Sequence, residues 1–213
     1  YPAQDIAPWL LEPDITHISN EVSFSESCPA PTDYTTVVFC SSPRYMELIT
    51  EADIDVIELT GNHLLDWGTD AMELTLAMYQ EHGVPYFGGG ANLTEAQEPL
   101  IMTAGMHTFA FLGCNVVGPE YDWAADDHPG SAPCNYDLLI QQIGQMREQG
   151  IIPIVTLQHW EFYQYEPTPQ QQAEFRALAQ AGAAIVSGSQ AHHPQGFEFY
   201  EGALIHYGLG NLF

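Results

Sequence analysis

The amino-acid sequence predicts an α/β domain in which helices cover a sheet. Short apolar runs alternate with amphipathic segments along the chain, and this alternation is typical of α/β folds. The run Ile152–Leu157 is largely apolar, as expected of a central strand that is buried on both faces. Apolar residues make up 46% of the 213 residues, which is enough for a sizeable core. We therefore expect residues 1–213 to form a single domain, trimmed at both ends because the chain begins without Met and stops within a motif.

Strands and helices can be assigned along most of the chain from periodicity and composition. The strand candidates are Ile15–Ser19, Val56–Leu59, Ile101–Thr103, Thr108–Gly113, Ile152–Leu157, Ala184–Ser187, Gly196–Tyr200 and Ala203–Tyr207. The helix candidates are Pro43–Ala52, Thr69–His82, Tyr136–Gln149 and Pro169–Ala181. Thr69 and Thr168 are candidate N-caps, because a hydroxyl there can accept a hydrogen bond from the first turn. Gly83 and Gly182 are expected to end the second and fourth helices.

The charge balance is unusual because cations are almost absent. Acidic residues number 28 and basic residues 3, so the formal net charge is −25. Nucleic-acid binding depends on clusters of Lys and Arg, and anionic membranes attract basic segments. We therefore exclude nucleic acid as a partner and expect no direct membrane insertion, since no stretch approaches the roughly 18 apolar residues of a membrane span. A neutral polymer, a cation or a metal-bridged anion fits this surface, and the oligomeric state stays open.

Two long irregular stretches, residues 21–42 and 115–135, contain or border the four cysteines Cys28, Cys40, Cys114 and Cys134. No CxxC pair is present, which argues against zinc-ribbon and thioredoxin-like sites. Local pairing of Cys28 with Cys40 and of Cys114 with Cys134 is favoured. The sequence leaves all three possible disulfide connectivities open, and also the alternative of four buried free thiols. Disulfides would place the protein in an oxidising compartment.

Four segments share one pattern, in which an apolar strand is followed by small polar residues and then by a good metal ligand. These ligand types are Glu21, Asn62 with His63, His159, and His192 with His193. In open α/β sheets, sites form just beyond the carboxyl ends of the strands. We therefore expect these side chains to converge on one rim, where a carboxylate, an amide oxygen and several imidazoles suit Mn, Fe, Zn or Ni.

The predicted centre holds one or two divalent ions, and its ligands are Glu21, Asn62, His63, His159 and His192. The residues predicted to take part in catalysis are His63, Asp66 and His159. The residues expected around these ligands or in contact with substrate are Gln190, His193, His206 and Glu161.

Each of these residues also has a structural interpretation. A single His at a strand end is more commonly a hydrogen-bonded structural residue than a ligand, and Asn62–His63 after Gly61 is compatible with a plain turn. Glu21 is compatible with a solvated surface position. His193 directly follows His192, so on an extended chain the two side chains point in opposite directions, and His192 is favoured as the ligand. The metal hypothesis therefore depends on the occurrence of ligand-type residues after a strand in all four segments.

Several segments resemble one known family. ELTGNHLLDWG (58–68) is similar to the family segment NNHxxDYG, and QHWEFYQYEPTPQQ (158–171) is similar to HWGxEY…P…Q. Residues 181–213 resemble AGADLVIGxHPHVxQxxExYxGxxIxYSLGNF, and ISNEVSF (18–24) resembles NLExP. The chain is identified by these segments as a member of the CapA-type poly-γ-glutamate capsule synthesis proteins, a branch of the calcineurin-like metallophosphoesterases. The resemblance implies a four-layer αββα sandwich with metals at the sheet rim, in an exported or cell-surface protein.

The chain departs from the family pattern at three places. The family's first metal motif, a Gly-Asp after the first strand, would lie before Tyr1. Gln190 stands where the family often has the first His of its HPH triplet, and Gln is a poorer ligand. Glu161 replaces a Gly, and either Glu161 or Glu166 could supply the family's carboxylate.

The leading functional hypothesis is an exported metal-dependent hydrolase or transferase that acts on a phosphoester or on the amide of a γ-glutamyl polymer. Asp66 would support the metal ligands or donate a proton. The alternative is a non-catalytic extracellular protein with a degraded site, in which the aromatic residues between Trp160 and Tyr165 bind a neutral or anionic polymer. A third hypothesis is a metal-free glycosidase that uses Glu21 and Glu161 as a carboxylate pair.

Overall fold

The computed structural model describes residues 5–30 and 37–212. The helices are α1 (Ala7–Leu10), α2 (Met46–Glu51), α3 (Thr69–His82), α4 (Leu93–Ala96), α5 (Tyr136–Glu148) and α6 (Pro169–Ala181), and the two 3₁₀ turns are Pro43–Tyr45 and Glu120–Asp122. The strands are β1 (His17–Ser19), β2 (Val56–Glu58), β3 (Tyr86–Phe87), β4 (Gly89–Gly90), β5 (Leu100–Ala104), β6 (His107–Asn115), β7 (Gly130–Ser131), β8 (Ile152–Gln158), β9 (Ile185–Ser189), β10 (Phe197–Tyr200) and β11 (Ala203–His206).

The strands form two main sheets of different size. The larger sheet has the order β10-β11-β9-β8-β6-β5, and the smaller has the order β1-β2-β3. The four inner strands of the larger sheet, β11, β9, β8 and β6, are parallel to one another, whereas the edge strands β5 and β10 are antiparallel to them. The smaller sheet is parallel throughout. The carboxyl ends of the parallel strands in each sheet therefore share one edge, the usual place for a site in α/β folds.

Helices cover the outer faces of both sheets. On the larger sheet, α5 and α6 pack through a core that includes Ile143, Leu157 and Phe175. On the smaller sheet, α2 and α3 contribute to a second core that includes Ile57 and Met72. The layers therefore run helix, sheet, sheet, helix, and the predicted four-layer αββα sandwich is confirmed.

The two sheets approach each other closely near the carboxyl ends of their strands. Val56 and Phe87 from the smaller sheet pack against Phe111 from the larger one. At Gly113 on β6, a Cβ atom would lie only 2.8 Å from the Thr60 Cγ2. Only glycine fits at this contact without displacing a neighbour. The end of β2 is thereby held against β6.

All eight predicted strands and all four predicted helices are present, with end positions shifted by at most three residues; the largest shift is at α2, whose first three predicted residues form the 3₁₀ turn Pro43–Tyr45. Thr168 is confirmed as an N-cap, because its hydroxyl accepts the Gln171 N–H at 3.2 Å. The predicted cap at Thr69 is wrong: Thr69 is already helical, and Gly68 is the N-cap at a φ of 80° without a side-chain cap. No helix in the described ranges is long and apolar enough to span a membrane.

Both favoured disulfides are present. The Cα atoms of Cys28 and Cys40 are 5.8 Å apart, and those of Cys114 and Cys134 are 4.9 Å apart. Part of the first irregular stretch, residues 31–36, lies outside the described residues. Each disulfide closes a loop beside the carboxyl edge of the sheets.

Candidate functional site at the carboxyl ends of the strands

Three side-chain oxygens converge on one amide nitrogen where the two sheets meet. The Gln158 Nε2 lies 2.9 Å from Glu21 Oε1 and 2.8 Å from Asn62 Oδ1. The Gln190 Oε1 accepts a third hydrogen bond from the same nitrogen. An amide group carries only two hydrogens, so three acceptors compete for them. We call these four side chains the Gln158 cluster.

Each member of the Gln158 cluster reaches this place from the end of a strand. Gln158 is the last residue of β8, Gln190 follows β9, and Glu21 and Asn62 follow β1 and β2. The parallel pairing of β1 with β2 and of β8 with β9 aligns these ends. Gln190 has a φ of 79°, a left-handed conformation that is rare for residues other than glycine and is often found at functional sites.

His63 lies beside the Gln158 cluster, and Asp66 sets its tautomer. The His63 Nδ1 lies 2.7 Å from Asp66 Oδ2, and the His63 Nε2 lies 3.3 Å from Asn62 Nδ2. An ionised carboxylate can only accept hydrogen bonds, so Nδ1 carries the proton and Nε2 presents a lone pair. Asn62 joins the two groups, because its Nδ2 donates to His63 while its Oδ1 accepts from Gln158.

The structure turns His159 away from this cluster. Its imidazole is 2% exposed, its Nε2 lies 2.9 Å from Glu174 Oε2, and its ring packs edge-on against Phe175 on α6. Consecutive residues of an extended chain point to opposite faces, so Gln158 takes the position between the sheets and His159 faces the helices. The roles of His159 as a ligand and in catalysis stay predictions.

Glu174 gives the buried imidazole an ionised partner. Burial by itself would raise the pKa of the Glu174 carboxyl group. Hydrogen bonds from Gln170, Tyr136 and His159 outweigh that effect and hold the pKa below its usual range. A carboxylate next to an imidazole N–H orients the ring, so Glu174 keeps His159 on the helical side.

His192 and His193 lie in the loop after β9 and contact other loops. The His192 N–H donates to Glu161 Oε1 at 3.0 Å, and the His192 Nδ1 lies 2.9 Å from Asn211 Oδ1. His193 stacks on Tyr163 with ring centroids 5.9 Å apart. These contacts do not bring either imidazole to the Gln158 amide, so metal ligation by His192 stays a prediction.

His206 lies on β11, where its ring stacks on Phe197 at 6.2 Å. Its Nδ1 is buried without a hydrogen-bond partner among the described residues. Burial lowers the pKa of His206, so the ring is mostly neutral at pH 7. A structural role in the sheet fits these observations, and the predicted contact with substrate stays a prediction.

Asp122 is a buried carboxyl group close to His63 and Asp66. It is 0% exposed, and its Oδ1 accepts the Leu65 N–H at 2.8 Å, while its Oδ2 has no partner among the described residues. Burial is the main cause that raises the pKa of Asp122 to about 7, and the Asp66 charge adds to it, whereas the Leu65 N–H and His63 act in the opposite direction. Asp122 therefore binds a proton near neutral pH.

This pKa predicts how stability depends on pH. Between about pH 4 and pH 7, folded Asp122 holds a proton that the unfolded chain has released, so its contribution to stability falls as pH rises. Asp122→Asn keeps the Oδ1 acceptor and removes the charge. We expect the variant to match the parent near pH 4 and to be more stable by about 4 kcal/mol near pH 8. Urea unfolding at five pH values measures the difference, and parallel curves would contradict the prediction.

Sequence analysis did not single out Gln158, Glu58 or Asp122. Gln158 follows Leu157 at the end of a buried strand, and alternation would have placed it on the face opposite to Leu157. Glu58 is a charged residue in an apolar run and is 2% exposed, which is a signal for a buried, paired carboxylate. Asp122 lies in an irregular stretch where no periodicity marks it.

The residues around the Gln158 amide offer oxygen donors to a divalent cation. One carboxylate and two amide oxygens converge on one point, and such donors suit hard cations, including Mn²⁺. Within the described ranges, no group of three His, Cys, Asp or Glu side chains could hold a metal. These oxygen donors therefore suit a hard cation by their chemistry. The predicted ligand set with its imidazoles stays a prediction.

The chain is similar to proteins named for capsule or polymer synthesis in three bacteria. The chain is 30% identical over 171 residues to the capsule biosynthesis protein CapA of Bacillus anthracis, covering 78% of this chain and 42% of that protein. It is 27% identical to the PGA biosynthesis protein CapA of Bacillus subtilis (78% and 44% covered). It is 29% identical to a "probable polyglutamine synthesis accessory protein" of Mycobacterium tuberculosis (83% and 49%). The chain thus spans less than half the length of these relatives.

A solved structure supports the fold, and a family model matches the whole chain. A phosphatase from Mycoplasma pneumoniae superposes with a TM-score of 0.62 at 13% identity, covering 98% of this chain and 66% of that one. The model that matches residues 1–213 is described as bacterial capsule synthesis protein PGA_cap. With its sandwich fold and its relatives, the chain belongs to the PGA_cap family of bacterial capsule synthesis proteins.

Proposed function

We propose that this chain acts in the synthesis of a poly-γ-glutamate capsule, as a cation-dependent hydrolase or transferase at the Gln158 cluster. The observation that carries the proposal is the convergence of Glu21, Asn62 and Gln190 oxygens on one point. The relatives named for capsule and PGA biosynthesis support the polymer as substrate. A phosphoester is the second substrate class that suits a sandwich of this type.

The residues divide the chemistry between them. Glu21, Asn62 and Gln190 would hold the cation, which when bound polarises a carbonyl or phosphoryl oxygen. His63 presents the Nε2 lone pair and can accept a proton from a nucleophile, because Asp66 holds the Nδ1–H. Among the predicted ions Mn, Fe, Zn and Ni, the oxygen donors favour Mn²⁺.

The negative charge of the protein gives the cation a role in polymer binding as well as in catalysis. The net charge of −25 repels an anionic polymer over distances of about a Debye length. A divalent cation at the rim offsets this repulsion where the polymer has to approach. We therefore propose that polymer binding, as well as turnover, requires the cation. The two disulfides support an exported or cell-surface location.

A second candidate function is non-catalytic polymer binding. The Gln158 amide nitrogen occupies the point where the oxygens converge, and an uncharged donor there can replace a cation. In the following loop, Trp160, Tyr163 and Tyr165 are 50%, 87% and 78% exposed. Exposed aromatic rings of this kind can pack against a polymer chain.

Cation binding separates the two candidates. We expect chelator-treated protein to bind Mn²⁺ in isothermal titration calorimetry, and Glu21→Gln to weaken that binding by at least about tenfold, because it removes the one charged ligand. Glu73→Gln is the matched control, since Glu73 is exposed on α3. Mn²⁺-dependent shortening of poly-γ-glutamate that is lost in His63→Ala supports catalysis. Polymer binding that survives chelator, without turnover, supports the non-catalytic candidate and contradicts the first.

A further inference from the structure

The turn between β2 and α3 carries three residues of the site, Asn62, His63 and Asp66. Residues 64–67 form hydrogen-bonded turns and His63 forms a bridge with Val22, but no helix or strand spans this turn, so contacts with neighbouring segments help to hold it in place. Two of those neighbours are the loops that the disulfides close. Each loop contacts the turn through hydrogen bonds.

The first loop is closed by Cys28–Cys40 and contacts the imidazole pair through Phe39. The Phe39 N–H donates to Asp66 Oδ2 at 2.7 Å, the same oxygen that accepts the His63 Nδ1–H. The Phe39 ring packs edge-on against His63 with centroids 4.8 Å apart. Phe39 directly precedes Cys40, so the disulfide anchors the backbone that carries the Phe39 N–H and the Phe39 ring.

The second loop is closed by Cys114–Cys134 and holds the backbone of the same turn. The Asn115 Nδ2 donates to the Gly61 carbonyl oxygen at 3.2 Å, and the Asp122 Oδ1 accepts the Leu65 N–H at 2.8 Å. Asn115 follows Cys114 directly. The Asp122 backbone carbonyl in turn accepts the Ser131 hydroxyl at 3.1 Å, which ties it to β7.

We infer that the two disulfide-closed loops position the His63 imidazole, with Phe39 and Asp122 as the positioning residues. A disulfide limits the conformations open to the loop that it closes. That restriction keeps the Phe39 N–H and the Asp122 carboxyl group at fixed places. The Asp66 carboxylate is thereby held in line with Nδ1, and the lone pair of Nε2 stays directed at Asn62. The inference goes beyond the proposed function, because it concerns how the ring is held whichever reaction follows.

The tautomer of His63 tests this inference without substrate or cation. In protein with ¹⁵N-labelled histidine, long-range ¹H–¹⁵N spectra distinguish Nδ1–H from Nε2–H, and His63→Gln identifies the signal. We expect the Nδ1–H form in the parent. In the Cys28→Ser/Cys40→Ser protein we expect the ratio of Nδ1–H to Nε2–H to fall about tenfold, which corresponds to the loss of one charge-assisted hydrogen bond.

Two further variants keep the test decisive if the cysteine variant does not fold. Phe39→Ala removes the ring contact, and Asp122→Ala removes the acceptor of the Leu65 N–H. Both are expected to shift the His63 tautomer ratio, whereas Asp122→Asn, which keeps the acceptor, is expected to restore it. The exposed rings of His82 and His107 should not change. An unaltered Nδ1–H signal of His63 in folded Phe39→Ala and Asp122→Ala would overturn the inference, and it would leave cation binding and turnover to be judged separately.

Discussion

Gly61→Ala is expected to lower the free energy of unfolding by about 2 to 3 kcal/mol and to weaken cation binding, because the added methyl group has no space. A Cβ atom at Gly61 would lie 2.6 Å from both the Cα and the carbonyl oxygen of Glu21. These are backbone atoms and cannot rotate away. The Glu21 segment is itself held, since the Asn20 N–H donates to the Glu58 carbonyl at 3.0 Å. The strain therefore has to move Glu21 or Asn62.

Gly144→Ala is the matched control for this substitution. Gly144 lies within α5, and a Cβ atom there would meet nothing within 4 Å. Alanine in a helix interior is more favourable than glycine by about 0.5 to 1 kcal/mol, so this variant should be slightly more stable. Urea unfolding and Mn²⁺ titration of both variants measure the two effects. Parent-like stability and affinity in Gly61→Ala would show that the contact with Glu21 does not shape the site.

The role of Gly61 illustrates where the sequence is informative and where it is not. The sequence predicts a tight bend at this glycine, but its φ lies outside the left-handed region. Glycine is needed because another backbone passes within contact distance. The partner, Glu21, is 40 positions away in the chain, and only the pairing of β1 with β2 brings the two together. Local sequence patterns do not reveal a contact between residues so far apart in the chain.

The meeting of Glu21 with Asn62 could be predicted, because parallel strands bring their carboxyl ends to one edge. The direction in which the His159 side chain points could not be predicted from the sequence. It differs from the direction of Gln158 by one step of the strand alternation, and both positions are almost fully buried, at 2% and 1% exposure. Composition does not tell which of two buried polar residues faces the other sheet. The Glu174 carboxylate, from a helix that follows later in the chain, stabilises the arrangement in which His159 faces outward.

The short elements were missed for a related reason. β3, Tyr86–Phe87, has only two residues, and it becomes a strand through pairing with β2. Two residues cannot show a period-2 pattern. By contrast, α6 combines a Thr cap, a Pro in the first turn and a Gly at the end, and its predicted bounds agree with the structure. Local signals therefore predict long elements well, whereas short strands depend on their neighbours.

Glu58→Ala is expected to lower the free energy of unfolding by about 3 kcal/mol, because it leaves buried donors without an acceptor. The Glu58 Oε1 accepts the Ser189 hydroxyl at 2.7 Å and also the Thr60 hydroxyl, and its Oε2 lies 3.3 Å from His17 Nε2. Thr60 and Ser189 precede Gly61 and Gln190, so this one carboxylate links the ends of β2 and β9. Its loss should therefore weaken cation binding at the Gln158 cluster as well.

The pH dependence of the stability loss in Glu58→Ala tests whether the charge of Glu58 causes that loss. Burial by itself would raise the pKa of the Glu58 carboxyl group, but the nearby His17 imidazole, 3.3 Å away, and the hydroxyls of Thr60 and Ser189 hold the pKa below its usual range. A carboxylate of this kind contributes stability above the unfolded pKa of about 4.3, and the contribution is lost as pH falls through the lower folded pKa. The difference between parent and Glu58→Ala should therefore be largest at neutral pH and shrink in acid. Glu73→Ala, on the exposed face of α3, should stay within about 0.5 kcal/mol of the parent. A Glu58→Ala protein that is as stable as Glu73→Ala at pH 7 would show that the carboxylate does not join the two strand ends.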